Sequence, residues 1–463
     1  MKKVRKLVDA LFLNKKETEE LLAMREEITN NAIERYNDVI ESGGTEEAAL
    51  DAVRESLAGM ESVISSVPEE RADIAIAAQR EGVENVIVNL TAADLKVETG
   101  DVEAPRVLQK LRKYNEMPYP HYSLEGGTLT VKSDVEEKRS RPKLKYIRVI
   151  LPRGMYENMA LSALSGDIFA SAPARKFSVK TASGDIKLYA AAEELTASAA
   201  SGDIQVEGSA KIASIDTLSG DVRCTAEGEI LKIETQSGDI DCDIKNRDVK
   251  HISLRTGAGD VSCAVRGGDL IIHTHSGDIS VDSAEGTLFT VDAQTQRGDI
   301  KLAGSAEKCL LSSGDGDIRC TLRDAGSVSV KAQHGDISLQ ASENVLDSVL
   351  AESANGDIRI SGYVNECTAY AERGDISVRG SMWRAVLQSE KGDISCKLDD
   401  ENFDLLEAQT ESGDISLDFA ANPIGASVEA ASRRGDVKNR LPIGDGSGGA
   451  IRAHTDWGDI TIG

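Results

Sequence analysis

Residues Lys176–Cys224 read KFSVKTASGDIKLYAAAEELTASAASGDIQVEGSAKIASIDTLSGDVRC, and within them the tripeptide Gly-Asp-Ile/Val recurs every 18 residues. Extending the count both ways gives Gly166-Asp167, Gly184-Asp185, Gly202-Asp203, Gly220-Asp221, Gly238-Asp239, Gly259-Asp260, Gly277-Asp278 and Gly298-Asp299. It continues through Gly316-Asp317, Gly335-Asp336, Gly356-Asp357, Gly374-Asp375, Gly392-Asp393, Gly413-Asp414, Gly435-Asp436 and Gly458-Asp459. These are sixteen copies spaced 18 to 23 residues apart, and Gly100-Asp101-Val102 reads as an outlying one. A fixed period of this kind is the mark of a repeat architecture.

Aligned on the glycine, the copies show what one repeat is. Seven positions before it stand Phe177, Leu195, Ile252, Leu270 and Val291; five before it stand Val179, Ile215, Ile233 and Leu254. Three before it the residue is small, as at Thr181, Thr217, Thr235 and Ser313. After the Gly-Asp come Ile186 and Leu188, Ile204 and Val206, Val222 and Cys224. Period-two alternation on both sides of a turn predicts two short strands per coil, with every second side chain inward. One such unit cannot bury its apolar face, but stacked units can. The chain is therefore expected to be mainly β, a single-stranded β-solenoid of about sixteen or more coils. At about 4.8 Å per coil that is a rod of roughly 75 Å. In the turn, glycine supplies a positive φ and Asp accepts hydrogen bonds from the backbone N–H groups that follow it.

Around this repeat the chain divides into residues 1–67, 68–160 and 161–463. The first segment reads as helical. Asn14 with Glu17 forms a capping box, Leu21, Met24, Ile28, Ala32, Val39 and Ile40 an apolar stripe, and Gly43-Gly44 ends that helix. Thr45 caps a second helix carrying Ala49, Val53 and Leu57, stopped by Gly59; Ser66–Glu70, with Pro68, is a linker. Strands are expected at Val86–Val88, Leu95–Val97, Leu129–Val131 and Ile147–Ile150, with the charged stretch Asp134–Lys145 a loop. They form the irregular opening coils.

Composition excludes several functions. The net charge is −25, which argues against nucleic acid as a partner. No apolar run reaches the roughly 18 residues of a membrane span, and the N-terminus, broken by Asp9, reads as a helix and not a signal peptide. A cytoplasmic location follows. The seven cysteines (224, 242, 263, 309, 320, 367 and 396) contain no C-x-x-C pair; five share one inward column, so they are core residues of a reducing compartment.

The recurring Asp suggests a calcium ladder, since stacked carboxylates repel by about 0.9 kcal/mol per neighbour even in water. One Asp per coil falls short of six oxygen ligands unless carbonyls supply the rest. Arg297, Arg373, Lys391 and Arg434, each preceding a turn glycine, offer neutralisation without metal. His273 and His275 share a strand face near Arg255 and Gln296 with no third ligand, so no metal or other cofactor is expected. No coil gathers the carboxylates and base of a polysaccharide lyase, which predicts a non-enzyme. The last strand, Ile460-Thr461-Ile462, stands at the end of the sequence without a dedicated cap and is expected to be an open edge for end-to-end self-association.

The SGDI turns, preceded by IRVILPRG (Ile147–Gly154), resemble the bacterial adhesin-labelled family known as domain of unknown function 4097, over roughly residues 75–463. The segment MREEITNNAIERYNDVIESGGTEEAALDAVRESLAG (Met24–Gly59) resembles the permease-prefix helical domains of bacterial transporter permeases. The first resemblance implies a β-solenoid without known catalysis. Together these features predict a cytoplasmic interaction scaffold, docked through residues 1–67, by an apolar helix face, to a protein partner such as a membrane complex, and self-associating. Two readings compete with it: a cell-surface adhesin binding glycan or protein, and a calcium-binding repeat module.

Overall fold

The structure, a computed structural model, describes residues 2–12, 19–58, 60, 82–111, 120–133, 144–342, 344–442, 444 and 446–463. The chain forms two compact units, one of residues 1–82, 92–121 and 133–153, the other of residues 83–91, 122–132 and 154–463.

In the first unit three helices, α1 (Lys2–Leu11), α2 (Glu19–Glu41) and α3 (Glu46–Leu57), bury Val4, Val8, Ile28, Ala32, Val53 and Leu57 in a common core. Gly43, at φ +85°, donates to Ile40 O and Gly44 donates to Val39 O, which closes α2. Thr45 Oγ1 accepts the Ala48 N–H at 3.3 Å, and Glu46 and Glu47 fill the first turn of α3, where the helix dipole favours acid. The apolar helix face expected to tether the protein is spent on this internal core, because the stripe residues Ile28 and Ala32 pack against Val4, Val8 and Val53. The Asn14–Glu17 box, Gly59, the linker Ser66–Glu70 and most of the charged stretch 134–145 lie outside the described residues. The same unit pairs strand Asp94–Gly100 in parallel with Leu144–Pro152, whose other side is taken by the antiparallel strand Arg106–Leu111.

The second unit is the β-solenoid. All sixteen Gly-Asp turns lie between strand segments. Up to the coil ending at Phe419 each coil pairs in parallel with the next, in register through the turn: Ile186 stands on Ile204, then Val222, Ile240, Val261 and Ile279. The predicted inward residues are buried, including Phe177, Val179, Leu195, Ile215 and Leu254. Many coils differ from the expected two short strands, since one bent strand runs from a turn to the next, as in Ile204–Ser219 and Ile376–Lys391. Small residues such as Gly208 and Gly380, at φ +146° and +136°, let the strand turn the far corner unbroken. A coil with a 21-residue period breaks at that corner, between Ile240–Ile244 and His251–Ala258. All seven cysteines are buried and unbridged. Cys224, Cys242 and Cys263 stack in register; hydrogen bonding of the Cys242 S–H with Cys224 and Cys263, then burial, holds that thiol well above its ordinary pKa. Burial pushes Cys309 and Cys367 up to about 12, which keeps these thiols neutral packing groups.

The stacking order departs from chain order at the C-terminal end. After the coil Leu405–Phe419 the chain builds Ser427–Arg434 and Val437–Asn439, then returns with Ala450–Trp457 and Ile460–Ile462. The returning coil lies between the other two: Leu406 pairs with Ile451, which also pairs with Val428. Ile460, Thr461 and Ile462 pair with Ile415–Leu417 on one side and Val437–Asn439 on the other. The expected open edge at these three residues is thus filled on both sides. The physical reason is apolarity: Ile451, Ile460 and Ile462 gain most from a fully covered position, while the outer coil carries Ala430, Ser432 and Asn439.

Candidate functional site

The repeated turn is built by two side-chain ladders along the stack. Asp185 N–H donates to Asp167 Oδ1 at 2.8 Å, Asp203 N–H to Asp185 Oδ1, and so on, each turn carboxylate accepting from the next coil. At the end of the stack the ladder follows space and not sequence, from Asp414 to Asp459 to Asp436. The expected acceptor role of Asp holds, but its partner is the adjacent coil. Inward Thr and Ser hydroxyls donate to the neighbouring turn glycine carbonyl, as from Thr256 to Gly238 and Thr410 to Gly392. Glycine is demanded at these turns even where φ is ordinary. A Cβ at Gly413 would collide with the Gly392 carbonyl, as one at Gly184 would with that of Gly166.

These ladders bear on the calcium reading, since every turn carboxylate but that of Asp436, in the last coil of the stack, spends an oxygen on a backbone bond. Among the described residues no cluster of His, Cys, Asp or Glu suits a metal ion. The cations facing the turn carboxylates are not the expected ones. Arg319 lies 2.8 Å from Asp317 and 3.6 Å from Asp299, and Arg359 lies 2.7 Å from Asp357 and 3.5 Å from Asp336. The signal for both was a Gly-Asp-Ile-Arg string. Arg373 instead donates to Asn355, and the Arg434 guanidinium sits 4.0 Å over the Trp457 ring.

Asp278→Asn retains an Oδ1 acceptor for the Asp299 N–H and is expected to be neutral within about 0.5 kcal/mol. Asp278→Ala leaves that N–H to water and is expected to cost about 1 kcal/mol, read as faster hydrogen exchange at the turn.

Outward side chains vary while the backbone repeats. Two residues before the turn glycine, the outward column runs Leu164, Ala182, Ala200 and Leu218, then Gln236, Gly257, His275, Gln296, Gly314 and Gln333, then Ala354, Glu372, Glu390 and Glu411, and in stacking order ends on Asp456 and Arg433. Its middle portion borders a groove of about 670 Å3 lined by His273, His275, Gln294, Gln296, Arg297 and Asp315, among others. The two predicted histidines thus share a polar groove; His273 Nε2 is shielded and has no hydrogen-bond partner among the described residues. At the rim His334 Nδ1 lies 3.0 Å from Asp315.

Comparison with known proteins bears on identity. The family described as Toastrack DUF4097 matches residues 83–283, 227–371 and 285–463. Among solved structures, the chain is similar to a provisionally named cell adhesion protein from Clostridium sporogenes ATCC 15579. It shares 8% identity over 82% of this chain and 93% of that one, at a TM-score of 0.12, which supports no inference about function. No curated protein matches the chain. The family matches run without a gap from Val83 to the last residue, and the chain belongs to the Toastrack DUF4097 family.

Proposed function

We propose that this protein is a non-catalytic interaction scaffold of the bacterial envelope, working on the cytoplasmic side and docked through residues 1–67. The observation that carries the reading is the contrast between a turn repeated with constant geometry and an outward column that changes along the stack. That column passes from apolar (Leu164 to Leu218), through mainly polar residues (Gln236, His275, Gln296 and Gln333, with Gly257 and Gly314 among them), to mainly acidic ones (Glu372, Glu390, Glu411 and Asp456), and ends on Arg433. Such a surface offers partners graded sites on one rigid support. With the apolar helix residues committed to the bundle core, docking falls to its charged exterior, where Lys3, Arg5 and Lys6 are exposed. No helix among the described residues is long and apolar enough to cross a membrane.

A second reading, a surface adhesin, draws on the groove at His273–Gln333, whose amide, hydroxyl and imidazole groups suit neutral sugar hydroxyls. One experiment addresses both. Photocrosslinking groups are placed in the full chain at Gln296 and Glu390, and at Ser377 on another face, in the native bacterium. Adducts to one defined protein from the first two positions, with the chain protected from added protease on intact cells, are the expected result. Shaving of the chain from intact cells would overturn the cytoplasmic scaffold in favour of the adhesin.

A further inference from the structure

The terminal coil of the stack is Ser427–Arg434 with Val437–Asn439, and one side of strand Ser427–Arg434 is paired with Ala450–Trp457. Along its other side no strand pairs with it among the described residues. The Ser427 N–H donates inward, to Gly449 O at 3.0 Å. By strand alternation the N–H and C=O groups of Val428, Ala430 and Ser432 face the open side. Their side chains are only half-buried, whereas the equivalent Ile451, Ala453 and Thr455 one coil inward are fully covered. Glu429, Ala431 and Arg433 point outward and are exposed. This edge is the best-placed surface for one more strand.

We propose that the strand is supplied by a second copy of this chain, two copies pairing antiparallel through Ser427–Arg434 about a two-fold axis at Ala431. It deepens the scaffold reading by naming one partner and rests on that reading only for its biological sense. Hydrogen-bond parity leaves few registers, because the open-side groups of Val428, Ala430 and Ser432 must face one another across the axis; the Arg434 carbonyl is turned inward, where it accepts from the Gly458 N–H. An axis at Ala430, Ala431 or Ser432 satisfies this. Only the axis at Ala431 sets Glu429 opposite Arg433 of the second copy, twice by symmetry, on the exposed face. There Ala430 and Ser432 exchange their free N–H and C=O groups between the copies. Arg434, held over its own Trp457, is drawn aside from the pairing. In each copy Arg452 stands in register beside Glu429, so the carboxylate lies between its own Arg452 and the second copy's Arg433. The two-fold closes the assembly at two copies, which explains how an edge strand can stay open in one chain without templating a fibre.

The test is sedimentation equilibrium of the full-length protein between about 1 and 100 μM, a range that spans micromolar dissociation constants. A monomer–dimer equilibrium is expected. Arg433→Glu should weaken it by about tenfold or more, by setting like charges opposite each other twice. Glu429→Arg combined with Arg433→Glu should restore it, which excludes simple misfolding. Ala431→Cys should cross-link to its own mate under mild oxidation. Residues facing across the axis at a non-hydrogen-bonded position sit about 4.5 Å apart, within disulfide reach, and the native cysteines are buried. A strict monomer, polymers that lengthen with concentration, or a dimer unmoved by Arg433→Glu would each overturn the proposal. A strict monomer that still gives heterologous adducts at Gln296 and Glu390 would sink this inference alone and leave the scaffold reading standing.

Discussion

Deleting Ala450–Gly463 is expected to release the whole segment from Ala420 onward to hydrogen exchange and proteolysis, while the stack up to Phe419 stays protected. The deleted coil is the support of the terminal one: it pairs with Leu405–Ser412 on one side and Ser427–Arg434 on the other. It carries Ile451, Ile460 and Ile462, each at most 1% exposed, and each such side chain contributes about 1.5–3 kcal/mol by leaving water. Without them the coil Ser427–Asn439 has no neighbour, and one coil alone cannot bury its apolar face. Ile460→Ala is expected to cost about 2–5 kcal/mol on the same grounds. Hydrogen-exchange mass spectrometry of the truncated protein settles the point. If the stack followed chain order, truncation would spare residues 427–439, and continued protection there would refute the interleaved ending.

Gly298→Ala is expected to disrupt the middle of the solenoid at a cost of about 3 kcal/mol or more. Gly298 holds φ +142°, a region that side chains rarely tolerate, and a Cβ there would collide with the Gly277 carbonyl of the adjacent coil. The carbonyl belongs to a turn pinned by its own ladder bonds, Gly277 N–H to Arg297 O and Asp299 N–H to Asp278 Oδ1, so it has little room to yield. Gly413→Ala separates the two contributions, since its φ is ordinary while its Cβ meets the Gly392 carbonyl just as closely. It is expected to cost less than Gly298→Ala but more than about 1 kcal/mol. Gly154→Ala is the control, with nothing within 4 Å of the added carbon, and should be neutral. Chemical denaturation of the three variants reads the order, and equal midpoints for Gly298→Ala and Gly154→Ala would defeat the stacking account.

Much of this was legible beforehand because a solenoid writes its contacts into a one-dimensional period. The column Phe177, Leu195, Ile252, Leu270 could be read as buried from spacing alone, since each residue stands on its own equivalent. Thr45 was legible as a cap because capping involves only the next three residues. The Asp ladder was half legible. Composition shows an acceptor at every turn, but whether it serves its own turn or the next depends on how the coils are offset. Arg319 and Arg359 were not legible as the neutralising cations, because which cation reaches the carboxylates depends on strand geometry: it is the residue three after the glycine and not the one before it.

By itself the sequence determined the β-solenoid, its inward and outward columns, the need for glycine at each turn and the helical N-terminal segment. Each of these depends on residues near in the chain or on the equivalent residue of a neighbouring coil, whichever coil that is. Only the tertiary structure decided which coil neighbours which. Every coil carries the same Gly-Asp turn and the same alternation, so any coil pairs acceptably with any other, and local chemistry is indifferent to their order. The choice at the C-terminal end is made by what local reading cannot weigh. Non-strand segments at 420–426, 440–442 and 446–449 flank the outer coil, and burying Ile451, Ile460 and Ile462 between two coils gains more than leaving them last. That choice moved the open edge from Ile460–Ile462 to Ser427–Arg434, and with it the surface where a second copy fits.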